Sequence, residues 1–173
     1  MPGLGTVVLG AFAVFLLVVG SLLIQGMRRR RARQAQRNDL GLVRISQPDP
    51  ALAARILSAF PAATDGSPYV LAGLERVTID RPGTWYVALV KRSFTVSEAT
   101  DEPAQVLLAI DGLQLVGMSN EPATIEGTHD VWTRRCVSGL LLVEGSSTAG
   151  EATRNFEGMK TAGARAVDAA LAP

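Results

Sequence analysis

The sequence predicts an α+β domain that follows one N-terminal transmembrane helix. Three patterns support this fold class: an uncharged apolar stretch over 4–26, several short segments rich in β-branched and aromatic residues, and apolar residues at helical spacing near 50–60 and 149–172. About 135 residues follow the apolar stretch and its basic flank, which is enough for one domain with a core. We therefore expect a mainly antiparallel sheet with the two helices packed on it.

The apolar stretch 4–26 has the length of a membrane span. As a helix it would extend roughly 34 Å, and the hydrocarbon core of a bilayer is about 30 Å thick. A cleaved signal peptide is the alternative reading. However, no basic residue precedes the stretch, and no small-x-small cleavage site lies between Ser21 and the arginines that follow. The sequence therefore predicts a retained anchor.

A cluster of arginines sets the predicted orientation in the cell membrane. Positive residues close to a span stay in the cytoplasm, and the N-terminal flank offers only the α-amine. We therefore expect residues 1–3 outside, a basic collar and linker over 27–41, and a cytoplasmic domain over 42–173. The flanking arginines are Arg28, Arg29, Arg30, Arg31 and Arg33.

The collar and the domain carry opposite charge. Six of the 17 basic residues lie at or before Arg37, whereas all 16 acidic residues lie at or after Asp39, which leaves the domain with a net charge of −5. A basic strip of this kind suits an anionic lipid surface, so the bilayer is the expected partner. A nucleic-acid partner is not expected, because the strip is short, lacks interleaved aromatic residues and precedes an acidic domain.

Asp49 and Pro50 begin the first predicted helix of the domain. Aspartate is a favoured N-cap, and proline fits the first helical position. Apolar residues at helical spacing continue to Phe60, and Pro61 then ends the helix. The segment 42–46 alternates weakly and predicts a short first strand.

Turn residues divide the middle of the chain into strands. Pro82-Gly83 suits the centre of a type II turn, and it predicts a tight antiparallel pair from the segments on either side. Further short strands are expected around Ile125 and within 131–143, with a break near Gly139.

The strongest hairpin signal in the chain is Asp111-Gly112. It follows the apolar run 106–110, which predicts a buried strand. The dipeptide favours a two-residue turn, so we expect the chain to return as a paired strand over 113–117.

The C-terminal segment predicts a helix near 149–172. Thr148 and Glu151 have the spacing of a capping box, and apolar residues follow near one face. Meandering strands closed by a C-terminal helix form an order that resembles bacterial PH-like domains. This resemblance concerns the order of elements and implies no functional residue.

The residues that could carry chemistry are few. His129 is the only histidine and Cys136 the only cysteine, and seven residues along a strand would separate them by roughly 20 Å. A zinc site lacks ligands, and no phosphate-binding glycine motif is present. The sequence therefore predicts a protein that is not an enzyme and has no metal or cofactor.

Aromatic and basic residues of the strands are the remaining candidates. Trp85, Tyr86 and Trp132 could form a contact surface or line a pocket, although aromatic residues in strands more often belong to the core. Arg134 and Arg135 could bind an anion, but neighbouring residues of a strand point to opposite faces, so they do not form a clamp.

These observations predict an accessory or scaffold protein. Its cytoplasmic domain would bind a protein partner in or beside the membrane. The alternative is a membrane-tethered sensing or ligand-binding module, with a pocket between the sheet and the C-terminal helix.

Overall fold

The computed structural model describes most of the domain and a few positions before it. It describes residues 37–61, 66–93, 105–115, 118–126, 131–148 and 156–171, the positions 19, 21, 24–28, 31 and 35, and only the backbone of 146–148. The chain divides into two compact units, Met1–Leu40 and Gly41–Pro173. The predicted span over 4–26 lies outside the described residues except for a few positions. None of the helices that are described is long and apolar enough to cross a membrane.

The described part of Gly41–Pro173 is an α+β domain with seven antiparallel strands in one sheet. The order across the sheet is β1-β2-β3-β4-β7-β6-β5. The predicted class is thus confirmed for this unit. The strands are β1 (Leu42–Arg44), β2 (Tyr69–Val77), β3 (Thr84–Arg92), β4 (Gln105–Asp111), β5 (Ala123–Ile125), β6 (Trp132–Val137) and β7 (Leu140–Thr148), and the helices are α1 (Pro50–Leu57) and α2 (Phe156–Leu171).

Helix α1 begins at the predicted cap. An Asp49 carboxylate oxygen accepts a hydrogen bond of 3.0 Å from the backbone N–H of Ala51, and Pro50 occupies the first turn. The helix ends at Leu57 with Ser58 as its C-cap, so it is shorter than the predicted 50–60. The first strand, predicted over 42–46, is β1.

Two hairpins follow the predicted turn residues. β2 and β3 pair antiparallel, and Gly83 in the connection has a φ of +90°. Six residues, 78–83, separate the two strands, so this connection is longer than the predicted tight turn. Between β6 and β7 the φ values of Ser138 (51°) and Gly139 (73°) are both positive, as a two-residue type I′ turn requires.

The predicted return strand over 113–117 is wrong. Gly112 does adopt a positive φ of 78°, but residues 113–115 form no strand, and 116–117 lie outside the described residues. The reason is that β4 is central, with β3 at one edge and β7 at the other. No edge of β4 is open to a hairpin partner.

The predicted cap of the C-terminal helix stays a prediction, because Glu151 lies outside the described residues. Thr148 is the last residue of β7, where it pairs with Gln105. Helix α2 begins at Phe156 in the described residues, and 149–155 lie outside them.

The sheet has a helix on each face. On the α1 face, alternate residues of four strands form one core cluster with the helix: Leu52, Ile56, Ala59, Leu74, Ala88, Val90, Leu107, Ala109, Leu140 and Leu142. On the other face, α2 approaches so closely that a Cβ added at Gly163 would lie 2.5 Å from Leu108 Cδ2 and 2.6 Å from Trp85 Cζ3. Burial on both sides explains why β4 is apolar at successive positions.

Candidate functional site

A pocket of about 350 Å³ lies between α2 and the edge of the sheet formed by β5 and β6. This volume is at the lower end of the range for small-molecule sites. Two short strands and the C-terminal half of the helix supply its walls. The lining residues are Thr124, Ile125, Glu126, Arg134, Arg165, Ala166 and Ala169.

The pairing of β5 with β6 positions one wall of the pocket. Ile125 lies opposite Trp132, and Ala123 lies opposite Arg134. The Trp132 ring lies over Gly145 of β7, where an added Cβ would lie 2.6 Å from the ring, so only glycine accommodates it. Because side chains alternate along a strand, Arg134 is on the same face as Trp132 and faces α2.

Arg134 is the unusual member of the lining. Its Nη1 is buried, with less than 1 Å² exposed, and within the described residues it has no hydrogen-bond partner. A buried polar group without a partner costs about 1–3 kcal/mol, and more when the group is charged. A residue that lines the pocket therefore has one guanidinium nitrogen that lacks an acceptor.

Arg165 connects the helix to the strand across the pocket. Its Nη1 donates a hydrogen bond of 3.0 Å to the backbone carbonyl of Glu126, the residue that follows β5. The small residues Ala166 and Ala169 occupy the same side of α2 and leave the space open. A hydrogen bond thus joins the helix and the sheet at the rim of the pocket.

The electrostatics of the lining favour an anion. The lining includes two basic residues, Arg134 and Arg165, and one acidic residue, Glu126. The lining contains no histidine or cysteine, and the register of β5 with β6 places the side chain of Thr124 on the other face of the sheet. Within the described residues, no three His, Cys, Asp or Glu side chains cluster in a way that could hold a metal ion.

The three predicted contact residues do not share one exposed surface. Trp85 and Trp132 are each 1% exposed, because the first packs under α2 and the second over Gly145. Neither ring is on the surface of the domain. Tyr86 is partly buried at the edge of the α1 core. These aromatic residues support the fold and the wall of the pocket rather than a shared surface.

The other predicted site residues lie away from the pocket or outside the described part. Arg28 and Arg31 are exposed, and Arg29, Arg30 and Arg33 are outside the described residues, as is His129. Cys136 is 7% exposed, and burial raises the pKa of its thiol. A buried thiol with a raised pKa is a poor nucleophile at neutral pH.

The sequence indicated Arg134 as a possible anion ligand, but it did not indicate the other charged residues that line the pocket. It placed Arg134 and Arg135 on opposite faces, and the register of β6 confirms this. Arg165 and Glu126 were missed, because their proximity depends on how α2 crosses the sheet. The small residues of the C-terminal helix were the available signal, since they allow close approach without filling the space beside it.

No protein-family model matches this chain, and neither does a curated protein or a solved structure.

Proposed function

We propose that this chain is a membrane-anchored, non-catalytic module that binds a small ligand between its sheet and its C-terminal helix. The observation that carries the proposal is the pocket itself, which combines a defined volume, convergent polar groups and an apolar floor. Arg134 adds a guanidinium group with one nitrogen that has no hydrogen-bond partner within the described residues.

A ligand pocket has more support than a broad protein-docking surface. Both faces of the sheet carry a helix, and the large apolar side chains that are exposed in the described part of the domain lie on separate elements, while two more lie in the helical segment 24–28 before it. These are Ile24, Met27, Val43, Val131 and Leu171. Single exposed apolar residues are normal on a monomer and do not mark an interface.

The proposal can be tested by filling the pocket. Ala169 is an exposed residue of the lining, so Ala169→Trp blocks the space without disturbing the core. Full-length protein purified in a mild detergent would be analysed by native mass spectrometry for bound small molecules. We expect a co-purifying molecule that is lost in Ala169→Trp and kept in Ala54→Trp, the same change on the exposed face of α1. Identical occupancy in both variants would contradict the proposal.

The anchor is the second part of the proposal. The apolar stretch 4–26 and the five flanking arginines support a span with its C-terminal side in the cytoplasm. A reporter that matures only in the cytoplasm, fused after Pro173, should be active. Activity only from an extracytoplasmic reporter at the same site would reverse the orientation.

A scaffold for a protein partner is a second candidate. The observation that favours it is the edge strand β1, on which Val43 is 54% exposed. An edge strand can accept an added strand from a partner. Cross-linking in intact membranes would test this role. A stoichiometric partner lost in Arg44→Pro would support it, because the Ile45 N–H donates to the Leu74 carbonyl of β2 and the Arg44 N–H therefore points to the open edge.

A further inference from the structure

We infer that the ligand of this pocket carries an oxyanion group, a phosphate or a carboxylate, which Arg134 binds. The inference rests on the proposed function and adds the chemical class of the ligand. It depends on three observations: the unsatisfied nitrogen of Arg134, the position of Arg165, and the division of the lining into a charged wall and an apolar floor.

The first step concerns Arg134 Nη1. A guanidinium group has five N–H donors and no acceptor, so only an electron-rich atom can satisfy a buried nitrogen. Within the part of the chain that the structure describes, no protein atom does so. Because this nitrogen has less than 1 Å² exposed, an anionic oxygen would supply the missing acceptor only after the side chain turns toward the pocket. Charge-assisted hydrogen bonds of this kind are the stronger ones in proteins.

The second step concerns the orientation of Arg165. Its hydrogen bond to the Glu126 carbonyl engages Nη1 and fixes the side chain at the rim. Both arginines line the same pocket, so an oxyanion can contact one guanidinium from the strand and one from the helix.

The third step concerns the rest of the ligand. Ile125, Ala166 and Ala169 form an apolar floor, which suits a hydrocarbon or ring attached to the oxyanion. Glu126 adds a negative charge to the lining, so the anion is bound against local repulsion. The site therefore suits one anionic group on a small apolar body better than a highly charged ligand.

The experiment measures binding to the full-length chain in nanodiscs of zwitterionic lipid. The probes are phenyl phosphate and benzoate, with benzyl alcohol as the neutral counterpart, followed by isothermal titration calorimetry. We expect an anionic probe to bind more tightly than benzyl alcohol. Arg134→Gln should weaken that binding by about tenfold or more, the effect of losing one charged hydrogen bond. Glu126→Gln should tighten it, because it removes the opposing charge.

Arg76→Gln is the matched control. Arg76 is exposed on β2, away from the pocket, so this variant makes the same change in charge without touching the lining. Its affinity for the anionic probe should stay close to that of the wild type. An equal loss in both variants would overturn the inference, because it would mean that net charge rather than Arg134 attracts the probe.

The source of the oxyanion is distinguished by adding phosphatidic acid to the nanodiscs. Weaker probe binding in these nanodiscs means that the headgroup competes for the pocket, and it identifies a lipid source. Unchanged probe binding identifies a soluble ligand. Both results support the inference, provided that Arg134→Gln weakens the binding of the anionic probe by about tenfold or more.

Failure of the inference is separable from failure of the proposed function. If benzyl alcohol binds as tightly as the anionic probes, and Ala169→Trp removes binding while Arg134→Gln does not, the pocket binds ligands but does not select oxyanions. If neither anionic probe binds at millimolar concentration, the oxyanion inference is overturned. The co-purification experiment with Ala169→Trp then decides the proposed function by itself.

Discussion

Arg134 and Arg135 are neighbours on β6, yet their guanidinium groups meet opposite surroundings on the two faces of the sheet. On the α1 face, Arg135 donates from Nε and Nη2 to one carboxylate oxygen of Glu144, and its guanidinium lies 5.6 Å from the centre of the Phe60 ring. On the α2 face, Arg134 holds a buried nitrogen without an acceptor in the described residues. The same side chain is thus paired on one face and unsatisfied on the other.

The α1 face repeats the pattern of complete pairing. Arg55 donates two hydrogen bonds, of 3.0 and 2.9 Å, to the two carboxylate oxygens of Asp111 and a third to the carbonyl of Ser138. Its guanidinium joins α1, the end of β4 and the β6–β7 turn. These paired polar groups on the α1 face stabilise the fold. On the α2 face, by contrast, one nitrogen of Arg134 makes no such bond within the described residues.

The largest expected effect concerns the contact between α2 and the sheet. Gly163→Val would place a side chain against Leu108 and Trp85, which already lie within 2.6 Å of an added Cβ. We expect a loss of about 3 kcal/mol in the free energy of unfolding, from overpacking. Unfolding in urea, followed by tryptophan fluorescence, measures it. The control is Ala164→Val, the same β-branched residue on the next position of α2, and an equal loss there would mean that helix propensity causes the effect.

A smaller effect is expected from the ion pair on the α1 face. The Arg55 guanidinium holds the pKa of Asp111 below its ordinary value, with a smaller contribution from the Gly112 N–H and against the opposing effect of burial. Asp111→Asn should cost about 1.5 kcal/mol at neutral pH, reduced by the partial exposure of both side chains.

The same ion pair predicts a pH dependence. Because the folded-state pKa of Asp111 is lowered, its contribution is complete above the unfolded-state pKa and is lost as the pH falls from about 4 downward. Unfolding curves across this window should converge for the wild type and Asp111→Asn. A constant difference between them down to the lowest pH at which the protein folds would contradict the assignment.

The sequence was informative where local chemistry decides the structure. Asp49 and Pro50 fixed the start of α1, and the glycine at 139 marked the turn between β6 and β7. The hairpin prediction at Asp111-Gly112 was wrong, because β4 pairs with the distant strand β7 and not with the residues that follow the turn. Because β7 lies about 30 residues further along the chain, its pairing with β4 leaves no local trace.

Only part of the pocket could be predicted from the sequence. The alternation of side chains along β6 predicted that Arg134 and Arg135 lie on opposite faces. It did not predict which of the two forms an ion pair with a carboxylate. That outcome depends on Glu144 in the neighbouring strand and on Arg165 in a helix that crosses from the end of the chain. Side-chain pairing between distant elements is a property of the packed fold rather than of local patterns.

The next smaller effect is expected for Arg135, which forms an ion pair with Glu144. Arg135→Gln removes the ion pair with Glu144 and the contact with Phe60, and it leaves a carboxylate that is 30% exposed. We expect a loss of about 1 kcal/mol in the free energy of unfolding, because part of the interaction is screened by solvent. Urea unfolding in low and high salt measures it, and the loss should shrink as salt screens the wild-type pair.

The smallest expected effect is the most informative. Arg134→Met keeps the length of the side chain and removes the buried guanidinium, so it removes an unsatisfied group rather than a bond. Replacing an unsatisfied buried polar group by an apolar one of similar shape is close to neutral or stabilising, here by up to about 1 kcal/mol. Urea unfolding of Arg134→Met beside Arg135→Met makes the comparison direct, since the two variants differ by one position on one strand. If Arg134→Met lowers the free energy of unfolding as much as Arg135→Met does, both arginines stabilise the fold. Arg134 would then no longer support an anion-binding role for the pocket.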